Sequence, residues 1–194
     1  MRVEDIDTPA LLVDVAIMEE NLRWMQAKAD RAGVKLRPHT KTHRTPALAR
    51  RQVELGAHGI TVAKLGEAAQ ANLLGTYARC ALTVLTTVTS RPTPERVVLD
   101  AGVKALTAFV RGAGVCQTHG YGVLKGLPHL HLEKLSDEHG VFTALPGRAW
   151  AIGDRVEIIP NHACPTCNLY DRIYGVRDGR VVAAWPVLAR GESR

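Results

Sequence analysis

Near residue 75 the hydrophobic pattern of the chain changes period, and this change bounds the folds open to it. Before that point apolar runs alternate with helical spacing. ALLVDVA, residues 10–16, follows Pro9 and reads as a buried strand. Met18, Leu22, Met25 and Ala29 then share one face of a helix expected over residues 17–32, and Gly33 stops it. VKLRPH is a second short strand, and Thr45-Pro46 is an N-cap and first helical residue for a helix running to about Leu55, before Gly56. HGITVAK and LGEAAQANLL, the latter ending at Gly75, repeat the strand–helix unit. Three such units in succession predict a parallel α/β segment. From residue 76 the helical period disappears. CALTVLTTVTS and RVVLDAG are Thr- and Val-rich strands, followed by Gly- and Pro-rich stretches and by DRVEIIP. IYGVRDGRVVAAW places Asp178-Gly179 between alternating apolar residues, which predicts a hairpin. The expected class is α/β plus β, with residues 1–75 as an α/β segment and residues 76–194 as a mostly antiparallel β domain.

Composition removes several function classes. At 194 residues, with 46% hydrophobic and 23% charged residues, the chain has enough apolar sequence for a real core. No apolar run approaches the roughly 20 residues that span a bilayer, so no membrane association is expected. The net charge of +6 is spread along the chain among acidic residues, without an aromatic platform, so no nucleic-acid partner is expected either. The first residues, MRVEDIDTP, are acidic and lack an apolar core, and a cytoplasmic location is the expectation. Cys80, Cys116, Cys164 and Cys167 do not form a disulfide framework.

Two stretches carry chemistry. In LRPHTKTHR, residues 36–44, Lys41 stands among Arg37, His39, His43 and Arg44. A lysine among cations holds its proton less firmly, and its neutral amine can attack a carbonyl to form a Schiff base. The rival reading is a basic loop in water. In PNHACPTCNLYD, residues 160–171, His162 and Cys164 are two apart, so both can face one borderline-soft metal ion such as zinc. Half a zinc ribbon, a redox Cys164–Cys167 pair and an inert cysteine loop are the competing readings at this point.

DTPALLVD, RPHTKTH, VLDAGVKALT, KLSDEHG, PNHACPTCNLYD and WPVLARG occur in this order, and together they resemble the D-serine dehydratase and D-threonine aldolase family, whose fold is similar to that of alanine racemase. The resemblance implies that Lys41 binds pyridoxal 5′-phosphate (PLP), with His39 and Arg37 beside the cofactor, and that His162 and Cys164 hold Zn²⁺. It also implies a shortened architecture. A (β/α)₈ barrel takes about 250 residues, yet this chain passes from GEAAQANLLG directly to TYARCALTVLTT. The N-terminal segment is therefore expected to be a partial barrel packed on the β domain.

The chemistry implied is that of a lyase. Lys41 exchanges onto a D-β-hydroxy amino acid and removes its α-proton, PLP takes up the electrons, and zinc assists departure of the β-hydroxyl. D-Serine then gives pyruvate and ammonia. The same parts can instead cleave Cα–Cβ to glycine and an aldehyde, as D-threonine aldolases do. Because a thiolate at Cys164 suits zinc, and the aldolase branch resembles an HxD site, the dehydratase is the leading expectation. An inactive, metal-binding, dimerising remnant is the alternative, and a homodimer is expected in either case, since open strand edges need cover. Weaker candidates are His139, Tyr170 and an orienting carboxylate at Asp171. Tyr121, Trp150 and Trp185 are expected in the core or an interface, and Cys167 as a bystander of the metal.

Overall fold

The apolar run that opens the chain becomes β1 (Ala10–Asp14), a strand buried on both faces. Leu11 and Val13 join the main core, while Ala10 and Leu12 join a smaller cluster with Ile6 and Leu85 on the opposite side. A strand covered on both faces has no polar side, which accounts for the unbroken ALLV. In this computed structural model, residues 1–61, 79–110 and 118–191 are described. After β1 come α1 (Val15–Arg31), α2 (Pro46–Glu54), β2 (Leu82–Ser90), β3 (Arg96–Leu99) and α3 (Val103–Leu106). The remainder is β4 (Gly122–Leu124), β5 (Leu127–His131), β6 (Lys134–Leu135), β7 (Gly140–Thr143), β8 (Arg155–Pro160), α4 (Ala163–Cys167), β9 (Arg172–Arg177) and β10 (Arg180–Pro186).

The described strands form one mixed sheet, ordered β10-β9-β1-β2-β3-β7-β6, with β8 and then β4 and β5 branching from β2. β1 pairs antiparallel with β2 through Ala10↔Leu85 and parallel with β9 through Leu12↔Tyr174. The first strand is thus a central member of a sheet whose other described strands lie beyond residue 80. Its apolar run predicted a strand but not its neighbours. The extended stretch at VKLRPH pairs more sparsely than its pattern predicts. It makes one parallel bridge, His39↔Thr61, supported by Thr61 N–H donating to Pro38 O at 2.7 Å and His58 N–H to Leu36 O at 3.0 Å. The strand and helix expected after residue 61 fall on residues 62–78, outside the described residues.

Local signals elsewhere act as their chemistry dictates. Asp14 caps α1, its Oδ1 accepting from Ile17 N–H at 3.0 Å. Gly33, at φ 66°, closes the helix, and Val34 N–H returns to Ala29 O. On α1, Ala29 is buried and Met18 packs on the core, whereas Met25 stays 37% exposed. The Asp178-Gly179 turn has φ of 50° and 70°, the two positive values a tight hairpin needs, and joins β9 to β10. Thr-rich β2 hides hydroxyls without stranding them: Thr83 donates to Glu157 at 2.6 Å and Thr86 to Asp100 at 2.5 Å. Phe142 and Trp150 meet edge to face at 5.1 Å within the core.

Asp100 leads into Gly102, where two of the quoted motifs meet. Val103 and Lys104 N–H donate to Ser136 O and Asp137 O at 2.8 and 3.1 Å. A Cβ on Gly102 would stand 2.3 Å from Ser136 O and 2.5 Å from both Asp137 O and His139 N, all backbone atoms. Gly102→Ala is therefore expected to destabilise the fold by about 3 kcal/mol, at the upper end of overpacking costs. Urea unfolding with an unchanged slope measures it, and a midpoint equal to that of the unaltered chain refutes it. His139 belongs to this turn through its backbone, its N–H donating to Ser136 Oγ at 3.2 Å.

Candidate active site

Parallel pairing between residues 36–40 and 58–61 fixes the base of the lysine loop. The loop then closes as one helical turn, with Arg44 N–H donating to Thr40 O at 3.0 Å, and Pro46 starts α2. Arg44 has φ 49°, a left-handed conformation that strains a side-chain-bearing residue and persists only where its surroundings hold it. Lys41 N–H donates to His39 Nδ1 at 3.1 Å, so in the neutral ring the proton sits on Nε2. That Nε2 is buried and has no protein partner among the described residues. His43 is also buried, and burial, partly offset by Gln52 and Thr45, lowers its pKa from the ordinary histidine value. It packs as a neutral ring whose Nδ1 accepts from Thr45 N–H at 3.3 Å.

Lys41 faces an open cleft of about 760 Å³. Arg44 and Arg50 line it on the polar side, and Ala49, Val53, Ile60 and Leu188 supply an apolar wall. Arg37 does not line this cleft. It is exposed, with a guanidinium nitrogen 2.6 Å from where a Cβ on Gly59 would lie.

The second loop leaves the sheet at the end of β8. Asn161 anchors it by donating to Phe109 O and Gly120 O, both at 2.8 Å. His162 is the N-cap of α4, and its ring meets the edge of Phe109 at 4.7 Å. Cys164 is half-buried near the start of this short helix. Cys167, one turn later, is fully buried in the main core. Its thiol is pushed up to about 12 by burial and by the nearby Cys164, so it remains protonated at neutral pH. Tyr170 is largely buried, its hydroxyl donating to Ala105 O at 3.0 Å and burial raising its pKa. Asp171 lies at the surface in an ion pair with Arg190.

The fold brings these loops together. Thr42 Oγ1 and Cys164 Sγ share a hydrogen bond at 3.3 Å across 122 residues of sequence. Arg44 Nη1 donates to Asn168 Oδ1 at 2.6 Å and to Ala189 O at 2.9 Å, which adds the C-terminal segment to the junction. Thr42, Asn168 and Ala189 were not singled out from sequence, and Arg44 was named only as a cationic neighbour of Lys41. Each lies inside or beside a quoted motif, but nothing in the local pattern says that these motifs touch.

The residues suit the two groups implied by the resemblance. An amine on an apolar-walled cleft, with an arginine nearby and an imidazole nitrogen buried without a partner, matches an anionic aromatic aldehyde such as PLP. An imidazole and a thiol two residues apart, the thiol sharing a hydrogen bond with Thr42, are two donors of the kind zinc takes. Among the described residues no group of three or more His, Cys, Asp or Glu side chains gathers at one point. No helix among them is long and apolar enough to cross a membrane.

Comparison with known proteins places this geometry in context. Residues 81–176 match the family model described as "Putative serine dehydratase domain". A D-threonine aldolase of an Arthrobacter species is 42% identical over 114 residues, 58% of this chain and 28% of that enzyme. The chain thus spans little more than a quarter of the length of that relative. An uncharacterized protein of Mycobacterium bovis is 34% identical over 142 residues, covering 66% of this chain and 98% of that protein. Among solved structures, D-threonine aldolase from Filomicrobium marinum aligns over 97% of both chains, with a TM-score of 0.78 and 21% identity. A D-threo-3-hydroxyaspartate dehydratase, as a cysteine-to-alanine mutant in the metal-free form, aligns over 96% of this chain and 98% of that one, at TM-score 0.77 and 18% identity. An ala racemase-like protein from Idiomarina loihiensis aligns at TM-score 0.77 and 15% identity, over 96% of this chain and 98% of that one, so the fold is of the alanine racemase-like type.

Proposed function

Because the chain belongs to the D-serine dehydratase and D-threonine aldolase family, we propose that it is a PLP- and zinc-dependent lyase acting on D-β-hydroxy amino acids. The observation that carries this reading is the Thr42–Cys164 contact, which sets the lysine loop against the His-x-Cys loop. Within this reading the metal held by the second loop would meet the β-hydroxyl of a substrate bound at Lys41.

The chain's own groups divide the work. Lys41 Nζ holds the cofactor between turnovers and takes the proton from the substrate Cα. Arg50, which has no carboxylate partner among the described residues, meets an anionic group of cofactor or substrate at the cleft mouth. Val53, Ile60 and Leu188 would offer an apolar wall to the cofactor ring. His162 and Cys164 hold the metal, and Thr42 orients the sulfur. When bound, PLP supplies the electron sink for the Cα pair and zinc the Lewis acid for the departing hydroxyl. Loss of water and then hydrolysis gives a 2-oxo acid and ammonia. Retro-aldol cleavage to glycine and an aldehyde is the second reading, favoured by the similarity to D-threonine aldolase.

The architecture within the proposal is a shortened barrel segment over residues 1–75, whose first strand β1 joins the sheet of the β domain over residues 76–194, assembled as a homodimer. Exposed Val53, Ile60 and Leu188, at 47, 39 and 65%, support a second copy along the cleft. The test supplies PLP and zinc to the purified chain with D-serine or D-threonine. A 2-oxo acid with stoichiometric ammonia supports the dehydratase, and glycine with acetaldehyde from D-threonine supports the aldolase. Zinc at one per chain without either product leaves the metal-binding remnant.

A further inference from the structure

Arg44 touches three segments at once. Its Nε donates to Lys41 O at 3.4 Å, its Nη1 to Asn168 Oδ1 at 2.6 Å and to Ala189 O at 2.9 Å. Its own carbonyl accepts from Ala189 N–H at 3.4 Å. Asn168 is the C-cap of α4, the helix that carries Cys164, and its Oδ1 also accepts from Gly191 N–H at 3.1 Å. The lysine loop, the metal helix and the C-terminal segment therefore converge on one guanidinium. A planar fork with donors in several directions makes such a junction, which an ammonium on a flexible stem does not.

The backbone supports the same reading. Arg44 takes a left-handed φ of 49°, and its guanidinium reaches back to Lys41 O in the same loop. Strain of this kind persists where surrounding contacts over-determine it. Between Lys41 and Arg44, Thr42 holds Cys164 at 3.3 Å. The turn that presents the lysine is thus pinned to α4 and its cap at two points, Thr42 and Arg44, both on the C-terminal side of Lys41.

We propose that Arg44 is a positioning residue that couples the Lys41 loop to the His162–Cys164 helix, so that occupation of either site orders the other. The inference rests on the PLP and zinc reading for its ligands, but the clamp itself is a property of the protein alone. Coupling through one two-armed contact has a reciprocal signature: the factor by which zinc strengthens PLP binding equals the factor by which PLP strengthens zinc binding.

The first measurement is amide hydrogen exchange on the full chain without ligands, comparing it with Arg44→Gln and Asn168→Ala. Both variants are expected to speed exchange in residues 40–45 and in 163–168 together, by about tenfold, while β2 stays protected. Unchanged exchange, or acceleration in one loop alone for both variants, overturns the proposal. The second measurement titrates zinc and PLP separately and together. In the unaltered chain each is expected to tighten the other about tenfold, a factor that falls to within about twofold in Arg44→Gln. Equal coupling in the chain and in both variants overturns the proposal, because a merely stabilising Arg44 predicts that result. Should Lys41 take up no PLP while the loops still loosen together in both variants, the cofactor reading falls and the clamp stands.

Discussion

Replacement of Lys41 by alanine is expected to abolish specific attachment of PLP. The unaltered chain, mixed with PLP and reduced with borohydride, should yield one dominant labelled peptide, the one holding residue 41, together with a visible absorption band before reduction. Lys41 is the lysine that lines the cleft among the described residues, and its neighbours there are arginines, which form no imine under these conditions. Labelling in Lys41→Ala should fall to the scattered level of surface lysines. The fold should survive, since a partly exposed loop side chain contributes less than about 1 kcal/mol to unfolding. Equal labelling of both proteins, or scattered labelling of the unaltered chain, removes Lys41 from the chemistry.

The second large effect concerns the metal. His162→Ala and Cys164→Ala are each expected to reduce bound zinc from one per chain to nearly none, with affinity falling by more than about 100-fold, since loss of a mere supporting contact already costs 10–100-fold. Thr42→Val removes such a contact and should weaken zinc by about tenfold. Cys167→Ala is the control. Its thiol is buried in the core and protonated, so the variant should lose stability but keep its zinc. Cys164→Asp should shift preference toward manganese, because a carboxylate is a harder donor than a thiolate. Zinc retained in both His162→Ala and Cys164→Ala, measured by metal analysis after dialysis, would sink the site.

Much of the fold was legible where the signal is local. Proline 46 after Thr45, glycine at position 33 and Asp178-Gly179 each act through their own backbone preferences, and each sits where those preferences require. β2, β3 and β8 follow from β-branched runs. The neighbours of β1 were not legible, because an apolar run specifies burial and not the partner that buries it. Met25 shows the same limit on a helix: periodicity marked a face, but the packing covered only part of it.

The candidate site divides the same way. Lys41, His39, His162 and Cys164 stand out in sequence because their side-chain chemistry is rare and their spacing short. Their meeting was not readable, because it depends on contacts between residues 122 to 145 apart. Sequence by itself determined the turns, the Pro46 helix start, the strand-forming runs and the two reactive stretches, all of which act over a few residues. It did not determine the caps, since Thr45 makes no side-chain cap bond while Asp14 does. Tertiary structure alone decided that Thr42 reaches Cys164, that Arg44 reaches Asn168, and that the first strand lies inside the sheet of the last. The reason is that sheet order and loop closure are set by the joint burial of distant apolar faces, which no local window of residues contains.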